Sequence, residues 1–96
     1  MDVYQILREK RAEIIRIADS HGARNVRLFG SVARSQAGED SDIDILVSLE
    51  PDRSLLDLAA LALDLEKALG REVDVVSDRG IKPRICERVL SEAVPL

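Results

Sequence analysis

The sequence predicts an α/β domain, a small mixed β-sheet flanked by helices. Three observations lead there. Apolar residues recur at helical spacing near the N-terminus, and again more strongly over a leucine-rich stretch in the second half. Short β-branched runs, bounded by Gly, Pro and Ser, read as strands. These strands are separated by helical segments, the order expected of an α/β chain. Ninety-six residues make one domain, 1–96. A domain of this size buries roughly 60–65% of its unfolded surface, enough to fold alone with little to spare.

Residues 3 to 19 are expected to form one helix. Val3, Ile6, Leu7, Ile14, Ile17 and Ala18 fall on one arc, with Lys10 intruding on it. His21-Gly22 ends this helix, Gly22 supplying the positive φ of a cap and His21 reading as a solvated loop residue. Val26 to Phe29 is a short strand, Gly30-Ser31 a turn, and Ser31 to Gln36 a brief helix. Ala37 to Ser41 is polar and reads as loop. Ile43 to Leu49 is a second strand, broken by Pro51. Ser54 to Leu69 is the clearest helix. Ser54 caps it, Asp57 stands in the capping-box position, and Gly70 stops it. Leu55, Leu58, Leu61, Ala62, Leu65 and Leu69 are its expected core face. Glu72 to Ser77 is a third strand. Pro83 suits the first turn of a last helix reaching Glu92, and Pro95 ends that segment.

Composition narrows the function classes. The chain is 46% apolar with one Phe, one Tyr and no Trp, so its core is aliphatic. That argues against aromatic platforms for single-stranded nucleic acid. Fourteen basic against eighteen acidic residues give a net charge of −4, which disfavours gripping DNA or RNA through phosphate neutralisation. No direct nucleic-acid partner is expected. Arg79, Lys82, Arg84 and Arg88 read as a solvated helix face or a contact for an acidic partner. The single Cys86 has no disulfide partner and reads as a small helix residue. No run is long and apolar enough to span a membrane and no signal peptide opens the chain, so a cytoplasmic location is expected.

The chemistry concentrates in Arg27 to Val47, RLFGSVARSQAGEDSDIDILV. Asp42 and Asp44 stand two residues apart at the start of a strand. Both carboxylates therefore face one side, roughly 6–7 Å apart at Cα, while Ile43, Ile45 and Val47 face the other. Alone, such a pair is more often an ordinary edge or turn feature. Two carboxylates on one face repel unless a cation lies between them, and hard oxygen ligands favour Mg²⁺ or Mn²⁺. Gly30 after a strand allows close approach to the backbone. The amides of a following helix favour an anion, the Ser31 hydroxyl adds a donor, and Arg34 adds a fixed charge suited to phosphate. Strand, Gly-Ser, helix, loop and Asp-x-Asp together place phosphate donors and metal ligands on one edge. Asp74, between Val73 and Val75, joins the same face if the third strand lies beside the second. A carboxylate there is costly without a partner. Three carboxylates around two metals about 3.5–4 Å apart suit in-line attack on a nucleoside triphosphate, Asp74 helping to take the proton of the attacking hydroxyl.

Gly30-Ser31, ten intervening residues and Asp42-Ile43-Asp44 resemble the signature of the DNA polymerase β-like nucleotidyltransferase superfamily. The SVAR and SDIDILV segments resemble its minimal members, the MNT proteins encoded beside HEPN-domain toxins. The likeness spans nearly the whole chain. It implies the polymerase β-like nucleotidyltransferase fold. It also implies Mg²⁺-dependent transfer of a nucleoside monophosphate from a triphosphate, ATP by family habit, to a hydroxyl, with release of pyrophosphate. On this resemblance Gly30 and Ser31 grip the triphosphate, and Asp42, Asp44 and Asp74 form the catalytic and metal-binding set; Ser41 is added as a nucleotide-binding candidate. Arg34 is added as a phosphate contact from its own chemistry. Larger relatives carry a further domain for the acceptor, and little sequence follows Asp74 here. A partner protein is therefore expected to bring the hydroxyl. The MNT antitoxins resemble enzymes that add AMP to a tyrosine of the HEPN ribonuclease toxin, in a hetero-oligomer with it. Two other readings stay open. One is an antitoxin that neutralises its toxin by covering it, with Leu56 and Leu63 supplying apolar contacts. The other is a small-molecule nucleotidyltransferase whose acceptor domain is a separate chain.

Overall fold

The computed structural model describes residues 3–30, 42–78 and 93–96. The first helix is two, α1 (Val3–Glu9) and α2 (Arg11–Ser20), meeting in a bend at Lys10 with φ −102° and ψ 12°. Backbone hydrogen bonds from Lys10 N–H to the Ile6 carbonyl (3.0 Å) and from Ile14 N–H to the Lys10 carbonyl (2.9 Å) carry the helix across the bend. The predicted apolar arc is correct: Val3, Leu7, Ile14 and Ala18 are buried, with Ile6 and Ile17 packed against them.

β1 runs over Ala23–Phe29, three residues earlier than the sequence suggests. Its register against β2 (Ile43–Leu49) shifts between Arg24 and Arg27, and Asn25 there adopts φ 51°. One extra residue on β1 forms a bulge. With Asn25 set aside, the strand alternates: Ala23, Val26 and Leu28 turn to the core, Arg24 and Arg27 away from it. β2 matches its prediction residue for residue.

α3 (Leu55–Leu69) starts and stops where the sequence places it. Ser54 Oγ accepts from Leu56 N–H (3.3 Å), and Ser54 N–H donates to Asp57 Oδ2 (2.9 Å). Gly70, at φ 68°, closes the helix with its N–H on the Glu66 carbonyl (2.8 Å). Leu58, Leu61, Leu65 and Leu69 are buried as expected. Leu55 is not: it is 80% exposed. Helical side chains lean toward the N-terminus, so the first residue projects past the helix end into solvent rather than onto the sheet. Lys10 now has its explanation. Its stem shares the apolar arc, while its ammonium donates to the Ala68 carbonyl in the last turn of α3 (2.7 Å), where a helix end favours positive charge.

The Asp57 carboxyl is held below its ordinary value of 3.8, first by the Ser54 N–H, against a small opposing desolvation, and then by the neighbouring Arg53 guanidinium. A carboxylate whose folded pKa lies below its unfolded one stabilises the protein above the unfolded value, and that contribution is lost as pH falls through the folded one. The stability gap between wild type and Asp57→Asn is therefore expected to be widest near neutrality. It should close on acidification below the usual carboxylate range, as followed by urea denaturation at each pH. Ser54→Ala removes the cap oxygen and should cost about 1 kcal/mol at pH 7.

β3 (Val73–Ser77) lies parallel to β2, and β4 (Val94–Pro95) lies antiparallel to β1, giving the sheet order β3-β2-β1-β4. Pro95 sits in an edge strand, where a residue without an N–H is tolerated, and Leu96 N–H reaches the Val26 carbonyl (3.1 Å). The last helix expected over Pro83 to Glu92, with Cys86 and the basic residues Arg79, Lys82, Arg84 and Arg88, lies outside the described residues. So do the brief helix and the loop expected between Ser31 and Ser41. Helices α1, α2 and α3 share one core with Ile43, Ile45, Val47 and Val73, on one face of the sheet. His21 corrects another expectation. It is not a solvated loop residue, since its Nε2 meets Asp64 Oδ2 at 2.6 Å and ties the end of α2 to α3. Among the described residues, no helix is long and apolar enough to cross a membrane.

Candidate active site

The second sheet face carries the aspartates expected at the site. Because Ile43, Ile45 and Val47 are each fully buried under the helices, the alternation of β2 turns Asp44, Leu46 and Ser48 the other way. β3 is parallel to β2 with Asp44 opposite Asp74 and Ile45 opposite Val75. Val73 and Val75 face the helical core, so Asp74 joins Asp44 on the opposite face, as the sequence anticipates. Adjacent strands are about 4.8 Å apart, which sets two carboxylates side by side. Like charges so placed are destabilising without a counter-charge. Asp44 is half-buried and Asp74 exposed. Asp42, exposed, immediately precedes β2, whose first N–H, that of Ile43, is held by the Glu72 carbonyl of the neighbouring segment (3.0 Å).

Gly30 meets this pair from the other side. Phe29 is the β1 partner of Asp44, and Gly30 follows it with φ 70°. A Cβ built on Gly30 would overlap the Asp44 carboxylate, lying 3.1 Å from Cγ and 3.4 Å from Cβ. Positive φ strains any side chain here, and an added methyl would have to displace the Asp44 carboxylate. Backbone and carboxylate thus come into close approach at the edge from which residues 31–41 lead to Asp42.

Ser31, Arg34 and Ser41, the remaining expected nucleotide contacts, lie outside the described residues. The fold brings Gly30, Asp44 and Asp74 together, with Asp42 at the same strand end. Among the described residues, no three acidic, histidine or cysteine side chains gather as a ready metal-holding group. The donor set still suits a hard cation, because Mg²⁺ takes one or two carboxylates and completes its shell with substrate phosphates and water.

One group on this face escaped the sequence reading. Arg27 Nη2 donates to Ser48 Oγ (3.2 Å) and Asp78 Oδ2 (3.4 Å), and Ser48 Oγ donates to Asp78 Oδ2 (2.6 Å). The Arg27 side chain is only 13% exposed. The cluster fixes the end of β3, the strand bearing Asp74. The signal was the alternation of Asp44, Leu46 and Ser48, hidden on β1 by the bulge.

Among the described residues, the mixed sheet carries helices on one face and sets adjacent aspartates against a glycine backbone on the other, the arrangement expected of a nucleotidyltransferase. The chain belongs to the nucleotidyltransferase domain family, whose model matches residues 8–96. It is therefore a transferase of the minimal nucleotidyltransferase fold. A solved structure described as a minimal nucleotidyltransferase superposes with TM-score 0.88 at 53% identity, covering 100% of this chain and 97% of that one. The protein adenylyltransferase MntA of Thermococcus cleftensis is 42% identical over 78 residues, 81% of this chain and 79% of the relative. A crystal structure of a toxin-antitoxin with AMP-PNP superposes with TM-score 0.77 at 27% identity, covering 88% of this chain and 69% of that one.

Proposed function

We propose that this protein is an antitoxin that transfers AMP from ATP to a tyrosine hydroxyl of a HEPN ribonuclease toxin. The observation carrying the reading is the register of Asp44 with Asp74, closed against Gly30. The MntA relative and the toxin-antitoxin neighbour with AMP-PNP support the choice of nucleotide and partner class.

In this reading Gly30 and Ser31 receive the triphosphate, with Ser41 and Arg34 beside it. Asp42, Asp44 and Asp74 would hold Mg²⁺, two ions in all. When bound, Mg²⁺ neutralises charge on the triphosphate and lowers the pKa of the attacking hydroxyl. The acceptor oxygen bonds to the α-phosphorus as the bond from that phosphorus to the bridging oxygen breaks. Pyrophosphate leaves, and Asp74 helps to take the hydroxyl proton. The glycine backbone at residue 30 leaves room for phosphate oxygens while keeping the Asp44 carboxylate fixed.

The position of label in ATP tests which bond is cut. With the toxin as acceptor, ATP labelled at the α-phosphate is expected to leave label on protein, and ATP labelled at the γ-phosphate to release it as pyrophosphate. Label from the γ-position on protein would mean a kinase and would overturn the reading. Label appearing only on a small molecule would move the acceptor away from protein.

A further inference from the structure

The bulge in β1 decides where Arg27 points. Arg24 pairs with Ser48 and Arg27 with Leu46, so β1 carries one extra residue between them, where Asn25 adopts φ 51°. A shift of one residue turns every later side chain to the other face. Without the bulge Arg27 would point into the core; with it Arg27 lies on the face of Asp44 and Asp74. Bulges re-aim side chains in this way next to active sites. The bulge also holds what it aims, since Arg27 Nε donates to the Asn25 carbonyl (3.0 Å). The guanidinium, on a side chain only 13% exposed, then reaches Ser48 Oγ in β2 and Asp78 Oδ2 just past β3.

These contacts converge on β3, a five-residue edge strand whose one neighbour in the sheet is β2. Its register with β2 is what sets Asp74 beside Asp44. Each end of β3 is tied by a side chain from elsewhere. At the start, Glu66 Oε1 of α3 accepts from Val73 N–H (3.2 Å). At the finish, Asp78 N–H donates to the Val47 carbonyl (3.0 Å), and the Asp78 carboxylate accepts from both Arg27 and Ser48. Neighbouring carboxylates on paired strands repel, and a short edge strand is among the first elements to open locally. We propose that Arg27 is a positioning residue for nucleotidyl transfer. Aimed by the bulge, it clamps Asp78 and keeps Asp74 at the spacing from Asp44 that a divalent cation between them needs. This role rests on the proposed reading of Asp44 and Asp74 as metal ligands, and the test separates the two.

Mn²⁺ affinity of the full chain, by electron paramagnetic resonance, and amide hydrogen exchange in β3 both report without turnover. In Arg27→Met the β3 amides should exchange about tenfold faster, while those in the middle of α3 keep their wild-type rates. Mn²⁺ should bind about tenfold more weakly once the charge-assisted clamp is lost. The Mg²⁺ needed for half-maximal AMP transfer should rise in parallel, with kcat at saturating Mg²⁺ nearly retained. Arg27→Lys keeps the charge without the planar fork and should fall between. Asp78→Asn should reproduce Arg27→Met, and it decides the matter if Arg27→Met does not fold. Faster exchange spread equally over α3 and the sheet, with Mn²⁺ affinity unchanged, would make the cluster structural only and overturn the proposal. Wild-type exchange in β3 of either variant would overturn it as well. A wild type that binds no Mn²⁺ would instead overturn the metal reading of the aspartates, and the role of Arg27 with it.

Discussion

Asp44→Asn is expected to lower AMP transfer by about 10³-fold, a loss of roughly 4 kcal/mol of transition-state stabilisation. Asp44 is the central residue of its row, with Phe29 on one side and Asp74 on the other. The substitution removes the charge of the half-buried carboxylate proposed to hold Mg²⁺ while keeping the size of the side chain. Asp74 alone, exposed on β3, cannot replace it. The loss should appear in kcat at saturating Mg²⁺ and ATP. Stability should move by less than about 1 kcal/mol, since neither the core nor a backbone conformation changes. A variant that transfers AMP at the wild-type rate would remove Asp44 from the chemistry.

Gly30→Ala carries the second large effect, and through geometry rather than charge. The added methyl would overlap the Asp44 carboxylate, which must then leave its place beside Asp74. A non-glycine residue at this positive φ adds roughly 1–2 kcal/mol of backbone strain. Activity is expected to fall about 10²-fold, or nearly 3 kcal/mol, with a melting temperature a few degrees lower. The two variants differ in a checkable way: Gly30→Ala should lose stability and activity together, whereas Asp44→Asn should lose activity alone. A Gly30→Ala protein of full activity would show that the close approach of backbone and carboxylate does not matter.

The sheet at the site was legible because its periodicities are clean. Ile43, Ile45 and Val47 alternate with Asp44 without interruption, and Val73 and Val75 do the same around Asp74, so the shared face follows from period two. The leucines of α3 and its Ser54–Asp57 box fixed that helix to within one residue. The parts that escaped share a cause, in that a long-range partner decides them. Asn25 disrupts the alternation of β1, so the strand looked shorter and Arg27 was not assigned to the aspartate face. His21 looked solvated because Asp64, 43 positions away, is invisible to local reading. The short strand at Val94 and Pro95 carries no local signal because β1 makes it. Lys10 looked like a blemish in an apolar arc until the end of α3 supplied its acceptor.

The central claim, catalysis on a protein hydroxyl, is tested most directly by the intact mass of the toxin partner. The toxin would be incubated with one-fiftieth its amount of this protein, with ATP and Mg²⁺. The account predicts that nearly all the toxin gains one or more AMP units and loses ribonuclease activity, and that Asp44→Asn produces no gain. A toxin of unchanged mass, silenced only when this protein is present in equal amount, would contradict it and make neutralisation a matter of binding.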